Sequence, residues 1–550
     1  MKTKQLSYRS GELSTILALM AGVFCLAASV ATNAATVDVT TFDDELTTNG
    51  QCSLREAIVN ANDNALTKPD CPAGEPGTVA VDVINLPAGI YTLTINGVDE
   101  RCDGAVPCAS GADGVWIPVI TSDASKGDLD INDDLTIVGL GVNVEDTVVQ
   151  WAAATADDDP LTGDRIFHVA VPAGATASIA SVDIQNLAVA NGEVGVIPTV
   201  AADVCIAGVY TPANLGPYDI FDHNANDADC VNHTIKIDQF RRMGGAIALG
   251  AGYSVVTYEE AIHGPDAGGG GGGADMGPFP GGKPGEEEGY SIENVSLDRL
   301  GVIASWAGCD GAGIYSAAPA TIAESIISGN TSNANGGGIY NDALLTISDT
   351  LIGKIFDTPP PELANPNIGE NGGGMFDTGA HTTTIIRSAI NGNEAIGGGG
   401  IAGRALIIIN ITNSTVSGNI GTDVGGGITT NGTVNLLNST VANNVATTDA
   451  PGGGGGLNSF GSGTYILKNT LLSNNLVSGR TSPLANCGCS GGSLACPAGR
   501  MVSLGHNLED GDNCDLDQTG DQINTDALLV ALTNNGGLTE THLIPHSSIS

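Results

Sequence analysis

Gly398 to Asn444 reads GGGIAGRALIIINITNSTVSGNIGTDVGGGITTNGTVNLLNSTVANN, and it states one pattern twice. A run of glycines ends in one apolar residue. A stretch of alternating apolar side chains follows, then a small polar residue with an apolar one two places on and an Asn five places on. Working outward, the glycine runs end at Ile314, Ile339, Met375, Ile401, Ile428 and Leu457, in steps of 25, 36, 26, 27 and 29 residues. A second register keeps phase at Ser325, Asp349, Ser388, Ser414, Ser439 and Asn469. Two residues after each stand Ile327, Leu351, Ile390, Val416, Val441 and Leu471; five after each stand Asn330, Lys354, Asn393, Asn419, Asn444 and Asn474. Self-similarity at such a period marks a solenoid or a propeller.

The units favour strands, because Val, Ile, Thr and Asn alternate with period two, as in Thr433–Val441. A propeller blade needs about 40–45 residues and its own signature, whereas about 25 suffice for one coil of a parallel β-helix whose strands stack ~4.8 Å apart. Glycines then serve turns with positive φ and close approach of neighbouring coils. The recurrent Asn suits a stacked amide ladder. The fold expected is all-β: a right-handed parallel β-helix solenoid with a short N-terminal capping helix.

A solenoid grows in one dimension, so 550 residues need not mean several globular domains. Lys+Arg number 19 against Asp+Glu 61, a net charge of −42, which argues against nucleic acid and anionic lipid surfaces. Residues 1–35 read as a secretory signal: Lys2, Lys4 and Arg9 precede an apolar run from Ile16, and Thr32-Asn33-Ala34 offers a cleavage site. An uncleaved N-terminal anchor is the other reading of that run.

After a strand at Thr36–Asp43, Ser53 and Glu56 form a capping box, and Leu54, Ala57, Ile58 and Ala61 make one apolar helical face. Such a helix covers the open apolar end of a first coil. Cys52–Ile58 matches the motif of CSLREA-domain proteins, so the chain resembles that family of bacterial exported proteins, in which the motif leads into a right-handed, pectin-lyase-like parallel β-helix. Arg55 reads as a salt-bridge or cap residue rather than a catalytic one. Residues 36–130 form the expected cap region, 131–480 the β-helix and 481–550 a cysteine-containing closing region.

Asn132–Gly141, Asp164–Val169 and Ile179–Gly192 read as early coils, and Met243–Ile247 as a further anchor resembling the Gly-Gly-Ala-Ile repeats of polymorphic outer-membrane proteins. His263–Tyr290 and Phe356–Glu370 read as insertions, the second explaining the 36-residue step. Ser503–Asp526 followed by Asn534–Pro545 resembles the choice-of-anchor Q region that closes many such helices and precedes surface-anchoring signals.

Eleven cysteines remain after removal of Cys25 with the signal. Proximity suggests Cys52–Cys71, Cys102–Cys108 and Cys205–Cys230. Cys487, Cys489, Cys496 and Cys514 offer two more bridges or a Cys₄ zinc site, export and irregular spacing favouring bridges. Asp515, Asp517, Thr519, Asp521 and Asp526 around Gly520 have the oxygen spacing of a calcium loop, against which stands a structural role as closing segment. Asp222, Asp227 and Asp229 read as a solvated loop. Of the eight histidines, seven, among them His168, His381, His506 and His542, are scattered without ligand spacing.

Two functions follow. The first is an exported, surface-displayed β-helix at the bacterial outer membrane, acting as a structural or adhesive scaffold that contacts glycans or other cells. The alternative is a polysaccharide-degrading lyase or glycoside hydrolase. Asp310, Asp342, Asp349, Asp377, Arg387 and Arg404 are the charged groups of the coils, and they form no set recognisable from spacing. No catalytic residue is assigned.

Overall fold

In the computed structural model the described residues are 35–74, 81–95, 108–110, 116–118, 124–125, 127–152, 165–171, 178–191, 193–194, 246–249, 292–307, 310–354, 365–447, 453–478, 484–490 and 496–545. They form a parallel β-helix. Its first wall, the glycine sheet, stacks ten parallel strands: Leu129–Ile131, Phe167–Val169, Ile247–Leu249, Ile314–Ser316, Ile339–Asn341, Met375–Asp377, Ile401–Gly403, Ile428–Thr430, Leu457–Phe460 and Cys487–Ser490. All six anchors are register partners in unbroken succession, and Ile247 precedes them as expected.

A second, long sheet of 21 strands makes two legs per coil, and a short sheet of eight strands closes the section. The legs meet at residues in the left-handed region: Glu324, Asp349, Arg387, Asn413, Asn438 and Asn469 all have φ of 46–51°. The next residue turns inward and bonds coil to coil. The N–H of Ser325 donates to Thr350 Oγ1, that of Thr350 to Ser388 Oγ, Ser388 to Ser414 and Ser414 to Ser439. The second register therefore runs through Thr350 and Thr470, not Asp349 and Asn469, which occupy the bend before it. Its apolar members are likewise Ile352 and Leu472.

The Asn ladder is continuous: Asn330, Asn367, Asn393, Asn419, Asn444, Asn475 and Asn486 bond one to the next through side-chain amides at 2.9–3.0 Å. Asn367 stands where repeat counting puts Lys354. Of the expected insertion at 356–370, residues 356–364 lie outside the described residues, and its last part is no insertion, since Ile368–Asn371 is a strand of the short sheet. Asn474 lies just outside the ladder, giving its Nδ2 to Asn443.

The glycines have two separate jobs. Gly336, Gly372 and Gly398 take φ of 66°, 61° and 63°, where a side chain would be strained. Gly338, Gly374 and Gly400 instead face the next coil, and a Cβ on any of them would come within 2.6–2.7 Å of the following glycine's carbonyl oxygen. Inside, Ile, Val and Leu fill one continuous core from Val37 to Leu516.

The helix is Leu54–Asp63, with both halves of the Ser53/Glu56 capping box formed. Leu54, Ala57, Ile58 and Ala61 are buried against the first coils. Arg55 is fully buried, paired with Asp44 at 2.6 Å and donating to the carbonyls of Ala124, Gly127 and Asp128. It ties the cap to the first rung, as expected of a structural residue.

Bridges join Cys52 to Cys71, Cys487 to Cys514 and Cys489 to Cys496. The last two resolve the four late cysteines as disulfides. Cys102–Cys108, Cys205–Cys230, the insertion at 263–290, the signal and Asp222–Asp229 lie outside the residues whose side chains are described. Parallel pairing runs on past residue 480 to Leu508–Glu509. The tail then folds back: Thr539 bonds Arg387 O, Glu540 meets Asn391, and His542 meets Ser417. Among the described residues no helix is long and apolar enough to cross a membrane.

Candidate functional site

Alternation along each three-residue strand of the glycine sheet sends its first residue into the core and its central residue out of the tube. The central residues, read up the axis, are Asp130, His168, Ala248, Tyr315, Tyr340, Phe376, Ala402, Thr429 and Asn458. This one outer row carries an Asp–His end, an aromatic middle and a small polar end. The long sheet presents Thr and Asn at comparable positions, such as Thr384, Asn410 and Asn435.

Tyr315, Tyr340 and Phe376 stack with ring centroids 5.1 and 5.4 Å apart, forming an apolar cluster separate from the core. Arg404 extends the stack, its guanidinium carbon 5.5 Å from the Phe376 centroid, a cation–π contact. The rings are nearly buried, and their planes stack along the axis.

Asp310, just before the glycine run of its coil, stands beside Tyr340. Its Oδ1 accepts from the backbone N–H and Nδ2 of Asn335 at 2.9 and 3.0 Å. Its Oδ2 is buried without a hydrogen-bond partner. Burial pushes this carboxyl up to about 6, against the pull of the Asn335 donors and the Arg404 charge, with Glu370 adding to the rise. Tyr340 in turn is held well above the usual phenol range, first by burial and then by Asp310, Tyr315 and Asp342. Asp310, Asp342 and Arg404 thus surround one tyrosine, a grouping that spacing did not reveal because each comes from a different coil.

The remaining charged candidates divide differently. Asp377 and His381 meet at 2.8 Å in an inward corner with Asn341 and Thr383. Asp349 and Arg387, bend residues of adjacent coils, pair on the surface, Nε to Oδ1 at 2.8 Å.

In the closing segment, Asp521 accepts from Ser503 Oγ and the backbone N–H groups of Asn507 and Gln518. Burial opposes ionisation there, but these donors together hold the carboxyl below its usual range. Asp517 receives Gln518, and Asp526 caps the N–H of Leu528. Asp515 occupies a left-handed position with φ 56°, and Thr519 O accepts from the His506 N–H. The one group of three or more His, Cys, Asp or Glu residues with metal-binding proximity among the described residues is elsewhere, at Asp128, Asp130 and His168. Sequence reasoning treated His168 as scattered. The available signal was that Asp128–Ile131 and Arg165–Val169 share one in–out alternation, so that their polar members fall on one side.

No family model matches the chain, and no curated protein sequence matches it. Solved structures with a similar course include the Azotobacter vinelandii mannuronan C-5 epimerase AlgE6 A-module, at 12% identity over 87% of this chain and 93% of that one, with a TM-score of 0.35. The DFA-IIIase of Arthrobacter chlorophenolicus A6 is similar at 11% identity, over 85% and 92%, with a TM-score of 0.28. The Dettilon tailspike protein gp208 is similar at 10% identity over 81% of this chain and 62% of that one, with a TM-score of 0.30. At these values the likenesses carry no argument about activity.

Proposed function

We propose that the protein is an exported β-helix that holds an extracellular glycan against the outer face of the glycine sheet, as a surface-displayed adhesive scaffold. The observation that carries this reading is the aromatic stack Tyr315–Tyr340–Phe376 on the outer row, extended by Arg404 and bordered by the charges of Asp310 and Asp342. A polymer with regularly spaced hydroxyls suits a rigid row whose side chains repeat every ~4.8 Å. Bridged cysteines fit an oxidising compartment. The charge of −42 disfavours nucleic acid as the polymer. Surface attachment follows the resemblance of the closing segment to choice-of-anchor Q regions.

A second reading, cleavage of a polysaccharide at the same place, is favoured by Asp310. A carboxyl poised at about 6 holds or releases a proton near neutrality, as general acid–base work requires. The test is a panel of neutral and acidic polysaccharides assayed for binding and for new reducing or unsaturated ends. Binding without cleavage supports the scaffold. Cleavage that is lost in Asp310→Asn moves the conclusion to the second reading. Neither binding nor cleavage across the panel overturns both.

A further inference from the structure

We propose that Asp128, Asp130 and His168 bind a divalent transition-metal ion of the zinc type, which clamps the first two rungs of the glycine sheet beneath the capping helix. Asp130 and His168 are register partners on the parallel strands Leu129–Ile131 and Phe167–Val169, both central and outward. Asp128 lies one pleat earlier on the same side as Asp130. His168 Nδ1 is 3.0 Å from Asp130 Oδ1 and 3.9 Å from Asp128 Oδ2. The three ligand atoms all lie within 4.8 Å of one another. Bonds of about 2.0–2.2 Å to one zinc-like ion place its ligands roughly 3–3.6 Å apart, a spacing that His168 and Asp130 already have and that Asp128 Oδ2 exceeds by a few tenths of an ångström. Calcium fits poorly, since it takes 6–8 oxygen ligands at longer range.

A second observation points the same way. Asp128 Oδ2 is engaged by Arg165 Nε at 2.8 Å, whereas Asp128 Oδ1 is fully buried and has no hydrogen-bond partner. A buried carboxylate oxygen is retained when a donor or a cation answers it. All three side chains are at most 1% exposed, which suits an ion with a structural role. Its effect reaches the cap because Arg55 holds the carbonyl of Asp128 and those of Ala124 and Gly127. The rival arrangement is a metal-free knot in which protonated His168 and Arg165 neutralise the two carboxylates.

The test uses the full chain, stripped with chelator and dialysed, then titrated separately with Zn²⁺, Mn²⁺ and Ca²⁺. We expect one more equivalent of Zn²⁺ bound by the native protein than by His168→Ala or Asp130→Asn, and slower proteolysis of the cap when zinc is restored. Zinc-edge absorption on the native protein should report one imidazole nitrogen among light-atom ligands, an outcome that does not depend on the variants folding. Equal zinc uptake by native protein and both folded variants, or a zinc spectrum lacking histidine, overturns the proposal and leaves the metal-free knot.

Discussion

Asn330 donates an Nδ2 hydrogen to Asn367 Oδ1 at 3.0 Å, joining two coils across the longest step of the repeat. Both side chains are fully buried. The ladder therefore continues across the 37 residues that separate them, so the long step does not break the solenoid.

Asn419 shows what each member contributes. Its Oδ1 accepts two hydrogen bonds from Asn393, and its Nδ2 reaches Asn444 Oδ1 and Ile390 O at 2.9 Å. Asn419→Ala leaves several buried groups unanswered, each worth about 1–3 kcal/mol, so the whole change should cost about 3–4 kcal/mol. Urea unfolding checks this, with Asn410→Ala on the outer surface of the long sheet expected within about 0.5 kcal/mol of the native protein.

Gly400→Ala should damage the fold more locally. Its Cβ would lie 2.7 Å from Gly427 O, a backbone atom that moves only if the next coil moves. A loss of about 2–4 kcal/mol is expected, typical of overpacking a rigid interior. The loss is read from the thermal midpoint beside that of Gly499→Ala, where nothing lies within 4 Å but φ is 84°.

Stability should fall as pH rises through the range where Asp310 ionises. Its folded carboxyl titrates at about 6 against an ordinary 3.8, so the folded state binds more protons between those values. The contribution is complete below about 3.8 and is lost by about 6, at most ~3 kcal/mol at 1.36 kcal/mol per unit. Glu509, pushed up by burial to about 7 from 4.5, adds a loss of the same sign over its own interval. Asp310→Asn should remove the lower part of the decline and leave the upper. Denaturant midpoints from pH 4 to 8 (roughly the span of these titrations) decide it.

Reduction of Cys487–Cys514, which closes a 27-residue interval, should loosen the late coils by about 3.5 kcal/mol on the loop-entropy estimate. Hydrogen exchange with and without reductant should show the change concentrated around Cys487–Ser490 and Leu508–Glu509, with the coils at Ile401 and Ile428 nearly unaffected.

Much of this architecture was readable from residues because a parallel coil repeats its steric demands. The anchors from Ile314 to Leu457 have no freedom to drift: each must fill the tube directly above the last. The Ser53/Glu56 box and buried Leu54, Ala57, Ile58 and Ala61 were legible for an equally local reason. Counting failed at Lys354, because this step carries extra residues and the ladder passes from Asn330 to Asn367. It failed by one place at Asp349 and Asn469, because a bend residue and the inward residue after it are both short and polar. The Asp310–Tyr340–Arg404 grouping was hidden because its members occupy different offsets in three coils, and His168 because 38 residues separate it from Asp130.

The central functional claim is that the outer glycine-sheet row receives the glycan. Arg404 tests it most directly, being partly exposed at the end of the aromatic stack, with Arg387 on the long-sheet bend as the matched control. Titration of the tightest glycan from the panel against native protein, Arg404→Ala and Arg387→Ala should show binding weakened at least about tenfold in the first variant alone, a loss of about 1.4 kcal/mol, with thermal midpoints unchanged. Equal affinity for Arg404→Ala, or a loss confined to Arg387→Ala, would contradict the claim.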